Sequence, residues 1–151
     1  MKKILVVLIF VLSSKAQSLE MKKLDLLNEG LKVEKTIKKN KRLVFFWATW
    51  CKNCKKKLTE VFPKFKDSEL EVITVNNDRS QKRVKHYIKK NKITLPVYQD
   101  KSRSLQKELK VFSVPAWAAY KKNLKDEWEL VSSANAFEEK KVNEALAKEY
   151  F

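Results

Sequence analysis

Hydrophobic residues in this chain follow two alternating patterns. Four segments of strand length predict strands. Residues 43–48 and 72–76 are almost continuously apolar, with aromatic or β-branched residues, which is typical of strands buried in a sheet. Residues 95–98, with Pro96 near the start, and residues 116–120 are also predicted to be strands. Between them, apolar residues three and four apart predict helices, which are 51–66, 79–90 and 104–110. Pro63 is expected to kink or end the first helix. Asn77 and Asp78 are expected to cap the second helix.

The two ends of the chain complete the predicted architecture. Residues 18–41 are predicted to form one or two short helices, on the helical spacing of Leu24, Leu27, Leu31, Val33 and Ile37. A turn at 121–126 and an alternating segment at 127–131 predict an antiparallel hairpin. Asn135 and Glu138 resemble a capping box for a closing helix, whose apolar positions are Val142, Ala145, Leu146 and Tyr150. These elements predict an α/β fold with a mixed central sheet, parallel strands plus a C-terminal antiparallel hairpin, flanked by helices.

The N-terminus has the pattern of a secretory signal peptide. Two lysines precede an uninterrupted apolar run at 4–12, and small residues then allow cleavage after Ala16. Nine apolar residues are fewer than the roughly 20 that cross a bilayer as a helix, so an uncleaved membrane anchor is the weaker alternative. The sequence therefore predicts a signal peptide at 1–16 and a single exported domain at 17–151, in the periplasm or cell envelope.

Composition adds a strong basic surplus to this picture. The 151 residues include 34 Lys and Arg against 18 Asp and Glu, for a net charge of +16. Removal of residues 1–16 takes away three lysines, so the mature domain would carry +13. The lysines are spread over solvent-facing helix positions and form no basic block interleaved with aromatic residues, so nucleic acid is not an expected partner. The surplus predicts a solvated basic surface, with an anionic membrane surface or an acidic partner as the alternative.

The chain's two cysteines lie where a strand passes into a helix. Cys51 is expected at the helix N-terminus, where free N–H groups and the helix dipole stabilise a thiolate and lower the pKa of its thiol. Lys52 and Lys55 add positive charge within about one turn and act in the same direction. Cys51 is therefore the candidate nucleophile. Cys54, one turn further on, is the candidate resolving cysteine that attacks a mixed disulfide at Cys51.

Two other roles for the cysteine pair fit the sequence less well. A disulfide that closes so small a loop restricts the unfolded chain very little, so a purely structural disulfide is a poor explanation. A zinc site would need further N or S ligands, and the only histidine, His86, falls on a Lys-rich helix with the character of a solvated surface. We therefore expect a redox pair without a metal or a cofactor.

The sequence Phe-Phe-Trp-Ala-Thr-Trp-Cys-Lys-Asn-Cys, residues 45–54, resembles the active-site strand and helix start of the thioredoxin superfamily. Together with the predicted signal peptide, it is most similar to the TlpA/ResA-like exported thiol-disulfide oxidoreductases. The resemblance implies a thioredoxin-like fold and a cis Val114–Pro115 bond facing the cysteines, with the Val114 backbone pairing with substrate. Trp50, Val114 and Pro115 are accordingly the candidate substrate-binding residues. Implied partners are protein thiols and disulfides, such as apocytochrome c or envelope proteins, and a membrane thiol-electron donor.

The chain departs from this family where proton acceptors for the second cysteine are expected. Phe45 stands at the position of the buried Asp of cytoplasmic-type thioredoxins, and Lys57 stands where exported reductases often carry Glu. Glu60, one turn beyond Lys57, is a candidate substitute, although a surface role suits it equally well. Without a base, Cys54 should resolve mixed disulfides slowly, while a lysine-ringed Cys51 should be a good leaving group. We therefore expect a more oxidising couple than that of a strong reductase.

The leading functional prediction is an exported thiol-disulfide oxidoreductase, in the direction of a TlpA/ResA-like reductase. The sequence does not fix the direction of electron flow, so a disulfide oxidase or isomerase is the alternative among enzymes. A redox-inert thioredoxin-like binding or chaperone module is the alternative from another class. The intact Cys51 and Cys54 argue against it, because a pure binder needs neither thiol.

Overall fold

A computed structural model describes Met21, residues 24–28 and residues 38–151. Six strands of this part of the chain form one sheet in the order β1-β4-β3-β2-β5-β6. In chain order, the strands and helices are β1 Asp25–Asn28, β2 Lys41–Trp47, α1 Lys52–Lys56, β3 Leu70–Asn76, α2 Gln81–Lys90, β4 Val97–Gln99, α3 Ser104–Glu108, β5 Ala116–Lys122, β6 Trp128–Asn135 and α4 Glu139–Leu146. The predicted signal peptide lies outside the described residues.

The sheet is mixed, as the sequence predicts. Strands β2, β3 and β4 are parallel neighbours, and β5 and β6 form an antiparallel hairpin on the β2 side. Residues Leu43–Trp47 of β2 are fully buried, because helices cover both faces of the sheet at this central strand. The carboxyl ends of β2 and β3 therefore meet at one edge of the sheet, where the loops that follow them are brought together.

The prediction of helices in residues 18–41 is wrong for residues 25–28. This segment forms β1, which pairs antiparallel with β4 at the edge of the sheet. Leu24 packs against one core and Leu27 against the other. Leu24 and Leu27 are three residues apart, which places them on one face of a helix but on opposite faces of an extended chain. The segment forms a strand because it can pair with the open edge of β4. Residues 29–37 lie outside the described residues.

The helix that follows the cysteines is irregular. After α1 the chain continues as a wide π-helical turn, Lys57–Val61, and then as a tight 3-10 turn, Phe62–Phe65. Pro63 has no N–H to donate to an earlier carbonyl, so the regular helical ladder ends before it. The kink expected at this proline is thus present as a change of helix type.

Two predicted helix caps are wrong. Helix α2 is capped by Ser80, whose side chain accepts from the Arg83 N–H at 3.3 Å, so the helix begins two residues later than expected and Asp78 is not its cap. Helix α4 has Glu138 as its N-cap residue, without a side-chain cap bond. Asn135 is the last residue of β6 and makes different contacts, described below. At α2 a polar residue nearer the helix, Ser80, is the cap. At α4 the expected cap residue, Asn135, is engaged in a tertiary contact.

Two hydrophobic cores lie on opposite faces of the sheet. One contains the buried cysteines, Phe45, Trp47 and the apolar residues of α2 and α4. The other contains Val44, Phe46 and the apolar residues of α3. None of the helices in the described part of the chain is long and apolar enough to cross a membrane.

Candidate active site

Cys51 and Cys54 form a disulfide at the start of α1. Cys51 is the N-cap residue of this helix, and the two Cα atoms are 5.4 Å apart. Cys51 is 6% exposed and Cys54 is fully buried in the core beneath it. A partner thiol can therefore reach only the first sulfur without displacing the helix, which suits the predicted roles of nucleophile and resolving cysteine.

The residues beside the disulfide are open to solvent. Trp50 is 65% exposed, an unusual state for so large an apolar side chain. Lys52, Asn53 and Lys55 are also exposed, so both lysines proposed to tune Cys51 lie at the surface on its helix. Glu60 is exposed on the following turn. Its role as a proton acceptor stays a prediction.

A second loop comes to the same edge of the sheet. The Val114–Pro115 peptide bond is cis, in agreement with the resemblance. Strand β5 begins directly after it and pairs Ala116 with Phe46 near the end of β2. Because Cys51 follows β2 after a short turn, the cis bond lies on the same side of the sheet as the cysteines.

Asn135 holds this loop from the end of β6. Its Oδ1 atom accepts from the Phe112 N–H at 2.8 Å and from the Ser113 N–H and hydroxyl, both at 3.0 Å. The Pro115 carbonyl accepts from the Ala136 N–H at 2.9 Å. Within the described part of the chain, the Val114 N–H and carbonyl have no backbone hydrogen-bond partner. Val114 thus offers a backbone donor and acceptor at the same edge of the sheet as the disulfide, on a loop that Asn135 and Ala136 hold in place.

The positions where the family carries carboxylates meet in an aromatic cluster. Phe45 packs edge-to-face against Phe62 and Phe137, with ring centroids 4.9 and 5.5 Å away. Lys57 forms an ion pair with Glu139 of α4, and its ammonium lies 5.0 Å from the centroid of the Phe137 ring. The side chains at these two positions are therefore a buried phenyl ring and an ammonium that is paired with Glu139.

A buried carboxylate lies on the other side of the cysteine turn. Asp78 follows β3, is 7% exposed, and accepts from the Thr49 N–H at 2.8 Å and from the Thr49 hydroxyl at 2.9 Å. Burial and the negative charge of Asp78 raise the pKa of Tyr87, whose ring packs against Trp47. Among the described residues, no three His, Cys, Asp or Glu side chains cluster as metal ligands would.

Three residues of this site were not identified from the sequence. The sequence pattern predicts helix caps at Asp78 and Asn135, and it does not point to Phe112, which is 70% exposed on the loop before the cis-proline. A signal for Asp78 was present: it follows the strand parallel to the one before Cys51, so their loops share one edge. Asn135 carries no comparable signal, because its partners lie more than 20 residues away.

The fold and the site together define a thioredoxin-like protein with a Cys-x-x-Cys pair opposite a cis-proline. A model of the AhpC/TSA family matches residues 12–125. The chain belongs to this family.

Curated relatives of the chain are thiol-disulfide oxidoreductases by name. ResA of Bacillus thuringiensis subsp. konkukian is 34% identical over 91 residues, which cover 58% of this chain and 53% of the relative. Sporulation thiol-disulfide oxidoreductase A of Bacillus subtilis is 33% identical over 94 residues, with 58% and 56% covered. The chain thus matches these relatives over only about half of their length.

Solved structures support the same fold. StoA from Bacillus subtilis superposes with a TM-score of 0.53 and 26% identity, covering 74% of this chain and 86% of the other. A thiol-disulfide isomerase from Corynebacterium glutamicum superposes with a TM-score of 0.67, covering 90% and 97%. At 14% identity, the second comparison shows the fold alone.

Proposed function

We propose that this protein is an exported thiol-disulfide oxidoreductase that acts on cysteines of other proteins. One arrangement carries the proposal: a disulfide whose first cysteine is the more exposed of the two lies at a helix start, at the same edge of the sheet as the Val114 backbone, which has no backbone hydrogen-bond partner among the described residues. An extended substrate segment can pair with Val114 while its cysteine reaches Cys51. Names of the curated relatives point to the same chemistry.

The reaction needs only the two cysteines. In the reducing direction, the Cys51 thiolate attacks a substrate disulfide; a Cys51–substrate disulfide forms and the other substrate sulfur leaves as a thiolate, which takes up a proton. Cys54 then loses its proton and attacks the Cys51 sulfur, which releases the second substrate thiol and closes the Cys51–Cys54 disulfide. Two electrons pass to the substrate. A thiol donor must return two electrons before the next cycle.

The surface around the disulfide suits a protein substrate. Trp50 and Phe112 are both largely exposed and belong to the two loops at this edge. Large aromatic side chains give contact area to an extended apolar segment, whereas a small thiol would not need them. Substrates of this kind include apocytochrome c and misoxidised envelope proteins, with a membrane thiol protein as electron donor. This proposal includes a signal peptide at residues 1–16, so the domain would work outside the cytosolic thiol buffer.

Electron flow toward substrate oxidation is the second candidate. Lys52 and Lys55 favour the Cys51 thiolate, which stabilises the reduced form and makes a couple more oxidising. Phe45 and Lys57 supply no base for Cys54, which slows the step that completes substrate reduction. These two features favour an oxidase or isomerase over a strong reductase.

The tests are insulin reduction, refolding of a reduced protein and refolding of a protein with scrambled disulfides, each by the wild-type chain and by Cys51→Ser. We expect activity that disappears in Cys51→Ser. Equal activity in the variant would leave a redox-inert binding module as the better explanation. A titration of the Cys51–Cys54 couple in a glutathione series then sets the direction. A potential near the value of about −270 mV typical of thioredoxin would refute the oxidising assignment.

A further inference from the structure

Asp78 is a buried carboxylate that contacts the turn before Cys51, and the cysteine chemistry above does not use it. Its carboxylate accepts three hydrogen bonds, from the Thr49 N–H at 2.8 Å, the Thr49 hydroxyl at 2.9 Å and the Asn76 side-chain amide at 2.8 Å. Its own N–H donates to Asn76 Oδ1 at 2.9 Å, and its carbonyl accepts from the Gln99 side chain at 2.7 Å.

The hydrogen bonds to Thr49 act on the turn that carries Cys51. Thr49 lies inside this turn, which the Cys51 N–H closes by donating to the Ala48 carbonyl at 3.0 Å. A buried charge-assisted pair of hydrogen bonds fixes both the backbone and the side chain of Thr49, two residues before the nucleophile. The same carboxylate places a buried negative charge against the turn that leads into Cys51, whose charged neighbours on its own helix, α1, are lysines.

We propose that Asp78 is a positioning residue of the active site, which holds the Thr49–Cys51 turn in place and keeps the Cys51–Cys54 couple more reducing than the lysines alone would make it. The proposal rests on the proposed oxidoreductase function. A nearby negative charge disfavours the Cys51 thiolate, and with it the reduced form of the pair. Asp78 therefore opposes the effect of Lys52 and Lys55.

The same segment also reaches the second loop of the site. Asn77, the neighbour of Asp78, donates from its side-chain amide to Gln106 Oε1 at 3.2 Å. Gln106 in turn donates to the Ser113 carbonyl at 3.5 Å, on the loop before the cis-proline. Residues 77 and 78 thus contact, directly or through one side chain, both loops that would face a substrate. Residues that served only to cap α2 would not connect these two loops.

Asp78→Asn separates charge from shape. The asparagine keeps one oxygen for the Thr49 N–H and for Asn76, and its amide can donate to the Thr49 hydroxyl, which can reverse its role. Asp100→Asn is the matched control, because Asp100 is equally buried and accepts from the Ser104 and Leu105 N–H groups at 2.9 and 3.0 Å, at the start of α3. Both variants remove one buried negative charge from the same edge of the sheet.

The experiment measures the equilibrium of each full-length protein with glutathione, together with insulin turnover. We expect Asp78→Asn to shift the equilibrium about three- to tenfold toward the dithiol, where tenfold corresponds to about 30 mV, and Asp100→Asn to leave it unchanged. Thr49→Val, which loses only the hydroxyl, should lower insulin turnover several-fold without moving the equilibrium. Thr49→Ser should recover most of that turnover.

Failure of the inference can be told apart from failure of the function. An unchanged equilibrium in Asp78→Asn, or an equal shift in Asp100→Asn, would overturn the role of Asp78. Unchanged turnover in Thr49→Val would overturn the positioning part of the proposal. If Asp78→Asn does not fold, the Thr49 pair still decides that part. Absence of both insulin reduction and oxidative refolding activity in the wild-type chain, by contrast, would refute the oxidoreductase proposal itself.

Discussion

Lys57 offers the sharpest test of how Cys54 is activated. It follows Cys54 by three residues and so lies on the same face of the helical segment, at the position where exported reductases often carry Glu. Its ammonium instead pairs with Glu139 and lies over the Phe137 ring. Lys57→Glu would replace this cation with a carboxylate that can accept the proton of Cys54. We expect the resolving step to become at least tenfold faster, since a well-placed general base contributes about 10²- to 10⁴-fold.

The cost in stability follows from the contacts of Lys57. The ion pair is partly open to solvent, with the Lys57 side chain 22% and the Glu139 side chain 49% exposed, so its loss costs about 0.5–1 kcal/mol. Loss of the cation–π contact adds about 0.5–1 kcal/mol, and repulsion between two glutamates adds a similar amount. The free energy of unfolding should fall by about 2 kcal/mol in total, which lowers the melting temperature by roughly 4–8 °C.

The assay is a stopped-flow reaction of the reduced protein with an aromatic disulfide that releases a coloured thiolate. The first phase reports attack by Cys51, and the second reports the attack of Cys54 on the mixed disulfide. Lys57→Gln, which loses the ion pair without gaining a base, should leave the second phase unchanged. Exchanging the charges, with Lys57→Glu and Glu139→Lys together, should restore about 1 kcal/mol of stability. A second phase that stays at the wild-type rate in folded Lys57→Glu would refute the reasoning that a missing base limits Cys54.

Three further predictions concern the fold and the substrate surface. Hydrogen bonds from Lys148 and Tyr150 lower the pKa of Glu69 from 4.5 to about 2, so Glu69 stabilises the native state above about pH 4.5 and loses this contribution as the pH falls toward 2. The free energy of unfolding, measured with urea, should therefore fall by about 1–2 kcal/mol over this pH range. Glu69→Gln should remove this pH dependence, whereas Glu144→Gln, at an exposed position, should keep it. Phe112→Ala should lower turnover of protein disulfides by roughly three- to tenfold and leave turnover of a small aromatic disulfide unchanged, and equal effects on both would exclude a substrate contact. Asn135→Ala should lower the free energy of unfolding by about 1–2 kcal/mol and slow insulin reduction, whereas Asn135→Asp, which keeps the acceptor oxygen, should behave as wild type in both assays.

The parts of the fold that the sequence predicted correctly are those with long, unambiguous patterns. The run Leu-Val-Phe-Phe-Trp within β2 is entirely apolar and mostly aromatic, which does not suit a surface helix, so its place in the middle of the sheet followed directly. Residues 25–28 carry no such signal, since leucines three apart satisfy a helix as well as a strand. Only the unpaired edge of β4, which is a tertiary feature, selects the strand.

The same distinction separates the predicted from the missed residues of the site. Cys51 and Cys54 are close in sequence, and their position at a helix start is a local property that spacing alone indicates. The side chains of Asp78 and Asn135 could instead accept hydrogen bonds either from a nearby helix N-terminus or from a loop that is distant in sequence. A short polar side chain after a strand can accept hydrogen bonds from either partner. Asp78 and Asn135 bond to the loop because the loop presents several donors to one carboxylate or amide group.

The net electrostatic effect at Cys51 depends on where each charge lies, and the count of lysines overstates it. Lys52 and Lys55 are exposed, so water and salt screen their effect on the thiolate. Asp78 is buried and bound by fixed donors, so its single charge is screened much less. Raising the salt concentration should therefore weaken the lysines more than Asp78 and make the couple more reducing. In Asp78→Asn the potential of the couple should depend on salt concentration in the same way, because the lysines that cause this dependence are unchanged. At every salt concentration, however, the potential of the variant should be more oxidising than that of the wild type.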